Sequence, residues 1–200
     1  MGKRSRAIIY LILTAILWSL GGVLIKSVKW NPVAIAGARS AIASLVMLAY
    51  IRRPRFTWSR AQILAAIFYA GTVILFVTAN KLTTAANAIL LQYGAPVYVA
   101  IFGSIILKEK TTTADWITIS LVIFGMFLFF LDELRPGDLS GNIIAILSGI
   151  TFALYIVFMR KQKDESPIES TLLGNILTVI IGLPFMLSSS PETRSSWIGI

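Results

Sequence analysis

Residues 85–107 read AANAILLQYGAPVYVAIFGSIIL, twenty-three residues without one charged side chain, and Lys108-Glu109-Lys110 follow at once. At 1.5 Å of rise per residue a helix of that length reaches about 35 Å, enough to cross roughly 30 Å of hydrocarbon. The run is predicted to span a membrane as a helix, and the charged triplet to mark where it leaves the bilayer.

Working outward, the same pattern recurs along the chain. Apolar segments are read at 7–25, 32–51, 61–80, 85–107, 114–131, 142–159 and 170–188. The connections are short and carry breakers or charges: Asn31-Pro32, Arg52-Arg53-Pro54-Arg55, Arg135-Pro136-Gly137-Asp138 and Ser166-Pro167. Hydrophobic residues make up 56% of the chain and charged ones 14%, against roughly 45–50% apolar in a soluble domain. The expectation is an all-α integral membrane protein, a polytopic bundle of about seven transmembrane helices in contact with the lipid bilayer, with no separate soluble domain.

Composition narrows the chemistry. The chain has no Cys and no His, so it holds no disulfide framework, no thiol nucleophile, no Ser/His or Cys/His pair and none of the usual Cys/His metal sites. No catalytic residue, metal or cofactor is expected, and the chain is read as not an enzyme. Its net charge of +9 lies between apolar blocks rather than on one soluble face, so no nucleic-acid partner is expected. The basic start, Met1 to Arg6, is followed by a long apolar block without a convincing cleavage site, and is read as the beginning of a retained first helix.

Lys and Arg fall unevenly between the two alternating sets of linkers. One set holds Lys3, Arg4, Arg6, Arg52, Arg53, Arg55, Arg60, Lys108, Lys110, Arg160, Lys161 and Lys163; the other holds Lys26, Lys29, Lys81, Arg135 and Arg194. Basic loops are retained in the cytoplasm, so the N-terminus is expected there, in a multi-pass plasma-membrane protein of bacterial inner-membrane type. Segment six also echoes segment one. Ile16-Leu17-Trp18-Ser19-Leu20 overlays Ile150-Thr151-Phe152-Ala153-Leu154, which brings Lys26 onto Arg160 and Asn31-Pro32 near Ser166-Pro167. Five segments precede the second copy, an odd number, so that copy enters from the opposite side as an inverted repeat.

The stretch Thr84-Ala85-Ala86-Asn87-Ala88-Ile89-Leu90-Leu91-Gln92-Tyr93-Gly94-Ala95-Pro96-Val97-Tyr98, then Leu107-Lys108-Glu109-Lys110 and a helix containing Gly125, resembles the fourth and fifth helices of EamA-type proteins of the drug/metabolite transporter superfamily. Trp18-Ser19-Leu20-Gly21-Gly22 with Lys26, then Arg39, is similar to that family's first two helices. The resemblance implies ten helices in two inverted five-helix halves around a cavity near the bilayer midplane. On that plan, residues 1–135 are the first repeat and 136–200 the start of the second: two helices and the approach to a third at Trp197-Ile198-Gly199-Ile200. About three helices would then be missing, the simplest reading is a truncated reading frame, and carriage is expected of the complete protein.

Several residues are candidates for binding a substrate. Arg39 lies seven residues beyond Pro32, about 10 Å inside its span, where a charge either meets an acidic substrate or bonds carbonyls nearby. Pro96 removes the bond to the Gln92 carbonyl and is expected to kink the helix, leaving polar backbone beside Gln92 and Tyr93. Asn87, Gly94 and Tyr98 fall on one stripe of an unbroken helix, open to a ligand or to a neighbouring helix. Trp18, Asn80, Tyr155 and Asn175 add aromatic and amide groups, useful only if they converge. Gly141, Ala145, Gly149 and Ala153 read as a helix-packing stripe, and Glu109 as a hydrated helix-end charge.

No Asp or Glu lies well inside any of the seven segments, so a coupling ion is unidentified and facilitated diffusion or exchange fits as well as proton antiport. The leading reading is a carrier of small organic metabolites or drugs, amino-acid-like or amphipathic, working by alternating access. The alternatives are a non-transporting membrane scaffold or assembly component, and a flippase for lipid-linked headgroups.

Overall fold

A computed structural model describes residues 3–133, 139–162 and 167–191. The linker read at Arg135-Pro136-Gly137-Asp138, together with Lys163, Ser166 and residues 192–200, lies outside the described residues. In chain order the helices are α1 (Lys3–Ser27), α2 (Pro32–Ile51), α3 (Arg60–Leu82), α4 (Ala85–Gln92), α5 (Ala95–Phe102) with a π-helical turn at Gly103–Leu107, α6 (Thr113–Glu133), α7 (Leu139–Lys161) and α8 (Pro167–Ser188). Six spans in the described chain are long and apolar enough to cross a membrane, α4 and α5 together forming one of them; Thr113–Leu128 of α6 is a shorter apolar stretch.

Local chemistry starts these helices where the breakers stand. Asn31 caps α2, its Oδ1 accepting from the Val33 and Ala34 amides at 2.9 and 3.4 Å, with Pro32 in the first turn. Ser59 caps α3 by accepting from the Gln62 amide at 3.1 Å, while the Gln62 Oε1 reaches back to the Thr57 and Trp58 amides at 3.0 Å each, a reciprocal arrangement like a capping box. Thr84 caps α4 through the Asn87 amide at 3.1 Å. The last helix begins earlier than the sequence segment at 170–188, and so takes Glu169 into its first turn, where the carboxylate is nine-tenths buried.

The interior mixes polar side chains with small and branched apolar ones, and the surface is apolar. Ser40, Thr72, Asn80, Asn87, Ser148, Asn175 and Thr178 are buried between helices, whereas Ile12, Leu13, Ile16 and Leu20 of α1 and Ile117, Leu121, Phe124 and Phe127 of α6 are exposed. In water that surface would collapse; against lipid it costs nothing, and the buried hydroxyls return bonds to their own helices, as Thr72 to the Phe68 carbonyl (2.7 Å) and Thr178 to the Gly174 carbonyl (2.8 Å). The protein is a multi-pass helical membrane protein.

The principal packing is α3 on α7 and α2 on α8, with α3 also on α8 and α4 and α5 on α7. Small residues allow it. A Cβ on Gly182 would lie 2.7 Å from the Gly37 Cα, and one on Gly141 would lie 2.7 Å from the Leu82 carbonyl carbon. Gly141, Ala145, Gly149 and Ala153 are all buried, in accord with a packing stripe. By contrast α1 touches α3 and α4 only lightly, and α6 touches α5 only slightly.

Candidate functional site

The fourth span breaks further toward its start than Pro96 itself, because proline occupies the first turn of α5 and the chain turns at Tyr93-Gly94. The Tyr93 amide still reaches the Ile89 carbonyl at 3.0 Å, the Gly94 amide shortens its reach to the Leu91 carbonyl at 3.2 Å, and helix resumes at Ala95. The break turns the Gln92 carbonyl toward Gly149 of α7, whose hypothetical Cβ would sit 3.2 Å away. It also ends the stripe drawn through Asn87, Gly94 and Tyr98, since an unbroken wheel does not run through the turn. Asn87 is buried and donates to the Thr83 hydroxyl at 3.4 Å, and the gap at Gly94 is filled by Tyr98 and by Met126 of α6.

Beside the break, α1, α2, α3, α4, α7 and α8 enclose a cavity of about 490 Å³. Its wall takes Trp18 and Gly21 from α1, Arg39, Ser40 and Ala43 from α2, Tyr69, Thr72, Val73 and Phe76 from α3, Ile89, Gln92 and Tyr93 from α4, Phe152 from α7 and Asn175 from α8. These positions lie near the middles of α1, α2, α3, α7 and α8, so the cavity sits at mid-depth in the bundle.

Of the residues singled out in the sequence, Trp18, Arg39, Gln92, Tyr93 and Asn175 line this cavity. Asn80, Asn87, Pro96, Tyr98 and Tyr155 do not. Asn80 is buried behind the wall with its Nδ2 on the Phe76 carbonyl at 2.9 Å, beside Gly22. Tyr155 stands one shell back: its ring meets Tyr69 at 5.2 Å and Phe152 at 6.2 Å, and its hydroxyl lies 2.8 Å from that of Thr171. Tyr69, Phe152, Ser40, Thr72 and Phe76 were missed, because in an apolar helix they look like any core position.

Hydrogen bonds hold the neutral polar wall. The Asn175 amide donates to the Tyr69 hydroxyl at 3.2 Å and to the Thr171 carbonyl at 3.0 Å. Gln92 donates to the Ser148 hydroxyl at 2.8 Å, Ser148 to the Thr72 carbonyl at 3.3 Å, and the hydroxyls of Thr72 and Thr151 are 3.1 Å apart. Trp18 and Phe152 meet edge to face at 6.3 Å. Among the described residues no acidic side chain pairs with Arg39 and no acceptor is hydrogen-bonded to it. The buried hydroxyl of the adjacent Ser40 is also without a partner there.

One end of the bundle is clasped. Lys26 donates to the Thr83 carbonyl at 2.7 Å, Lys81 to the carbonyl of Val28, and the Trp30 indole to the Ser189 hydroxyl at 2.9 Å. At the other end Glu109 pairs with Arg160 at 2.9 Å, both side chains largely solvated, so the bond adds little stability and serves as a tie between the π-helical turn and α7.

Residues 5–131 match the EamA-like transporter family. Over 167 residues the chain is 23% identical to the threonine/homoserine exporter RhtA of Escherichia coli, covering 82% of this chain and 55% of that protein. It is 27% identical over 180 residues to an uncharacterized transporter of Archaeoglobus fulgidus, covering 88% of this chain and 65% of that one. It is also 27% identical over 194 residues to the mouse solute carrier family 35 member G1, covering 88% and 52%. The chain thus spans between about half and two thirds of the length of these curated relatives.

Proposed function

Because the chain belongs to the EamA-like transporter family, we propose that it carries a small organic metabolite across the plasma membrane through the mid-depth cavity, by alternating access and without covalent chemistry. The observation that carries this reading is the cavity itself: six helices converge on it, its wall is aromatic and amide-bearing, and its size suits a compact metabolite. An amino-acid-like substrate accords with the exporter among its relatives, whose name gives threonine and homoserine.

In this proposal residues 1–135 form the first five-helix repeat and 136–200 open the inverted second one. The N-terminus lies in the cytoplasm, which makes the end bearing Lys26, Lys81 and Ser189 the outer one. The Lys26, Lys81 and Trp30 contacts then close the outer mouth, and they are the bonds exchanged when access alternates. No acidic residue lines the cavity among the described residues, which favours exchange or facilitated diffusion over proton coupling at this site.

The test is uptake or efflux of labelled threonine, homoserine and a wider panel of small metabolites by proteoliposomes holding the full-length protein. Saturable flux that drops at least tenfold in Tyr69→Ala or Phe152→Ala supports the reading. Flux of every metabolite at the level of empty liposomes overturns it.

A further inference from the structure

Arg39 is the one charged residue among the described residues that line the cavity. It projects from the middle of α2 against α1, where Gly21 leaves it room: a Cβ at Gly21 would stand 3.6 Å from the Arg39 Nη2. A guanidinium held at mid-depth of a bilayer is costly unless something satisfies its five donors, and chains commonly do this with an acid on a facing helix. Here no described acid is paired with it, and its neighbour Ser40, almost fully buried, keeps a hydroxyl unpaired. The Arg39 guanidinium is therefore left for a ligand, and it suits an oxyanion.

The neighbouring α8, packed directly on α2, does not repeat this charge. Aligning α8 on α2 by their leading prolines puts Gly174 at the position of Arg39, and there the Tyr69 ring fills the space, 2.6 Å from a hypothetical Cβ. One side of the cavity thus offers a cation. Beside it lie Tyr69 and Asn175, already bonded to one another, and Trp18 and Phe152 add an aromatic pair to the wall.

Resting on the carrier reading above, we infer that the cavity selects substrates with a single carboxylate or comparable oxyanion, bound at Arg39, with a compact apolar or aromatic body against Trp18 and Phe152, and that it rejects organic cations. Planar bidentate pairing to a carboxylate is what arginine offers beyond mere charge. A cation would meet like charge at Arg39, with no acidic residue among the described lining residues to offset it.

Three compounds with the same ring separate the head group from the body: phenylacetate, an anion at neutral pH; 2-phenylethanol, neutral; and phenethylamine, a cation. Their affinities for the full-length protein in detergent are measured by calorimetry. Phenylacetate is expected to bind about tenfold or more tightly than 2-phenylethanol, and phenethylamine least. Arg39→Gln should bring phenylacetate down to the affinity of 2-phenylethanol, and Arg39→Lys, which keeps the charge but loses the planar fork, should retain part of the preference. Phenethylamine binding as tightly as phenylacetate, or an Arg39→Gln protein that still prefers phenylacetate, overturns the inference while the carrier reading stands. Absence of binding by all three overturns the inference as well, while the carrier reading is decided by the flux assay above.

Discussion

At the scale of single residues, the sharpest constraint is the crossing of Gly37 and Gly182. Each backbone occupies the place a neighbour's methyl would take, so no rotamer change can relieve a substitution. Gly182→Ala is expected to cost roughly 1–3 kcal/mol and to lower the melting temperature in detergent, with the gap checked against Gly125→Ala. Nothing lies within 4 Å of a Cβ at Gly125, and alanine there should be neutral or slightly stabilising. Equal melting temperatures for the two variants would remove the glycine crossing as a packing determinant. Arg39 was legible in the sequence because a charge in an apolar run is conspicuous. Tyr69 and Phe152 were not, since nothing in helical periodicity distinguishes a ring that faces a cavity from one that faces another helix.

At the scale of elements, the seven segments corresponded to helices with ends displaced by a few residues, because runs of uncharged residues and capping side chains are both local signals. The exception was the fourth segment. Proline signalled a break, but its preference for a first helical turn moved that break to Tyr93-Gly94 and split one span into α4 and α5. Asn87 and Tyr98 were then misgrouped for the same reason. Another tie between elements is open to test: Lys26 and Lys81 hold the end of α1 to the corner between α3 and α4. The chain has no cysteine, so Val28→Cys, buried against that corner, supplies a lone thiol. In intact cells a membrane-impermeant maleimide should label it slowly, and at least several-fold faster once Lys26→Met and Lys81→Met together remove the tie. An unchanged labelling rate would mean the lysines do not keep this end shut.

For the whole molecule, the segregation of buried amides and hydroxyls from exposed aliphatic side chains was foreshadowed by composition alone, whereas the choice of which helices touch was not. That choice depends on glycines meeting across the interior from distant parts of the chain, as Gly37 and Gly182 do. The direction of threading is the global property left to experiment. Single cysteines at Thr57 and Lys110 should react only after cells are permeabilised, and one at Ser189 should react in intact cells; the reverse pattern would invert the proposed topology.

The lightly held first helix also has a consequence in time. Translation adds roughly 5–20 residues per second, so between the completion of α1 at Ser27 and that of α4 at Gln92 several seconds elapse, on the order of 3 to 13. During that interval α1 waits in the bilayer while its partners are still being made, its Lys26 without the Thr83 carbonyl it later meets. A helix made that long before the partners it later meets must be stable as a solitary span, and the long uncharged run of α1 supplies that independence before those contacts exist.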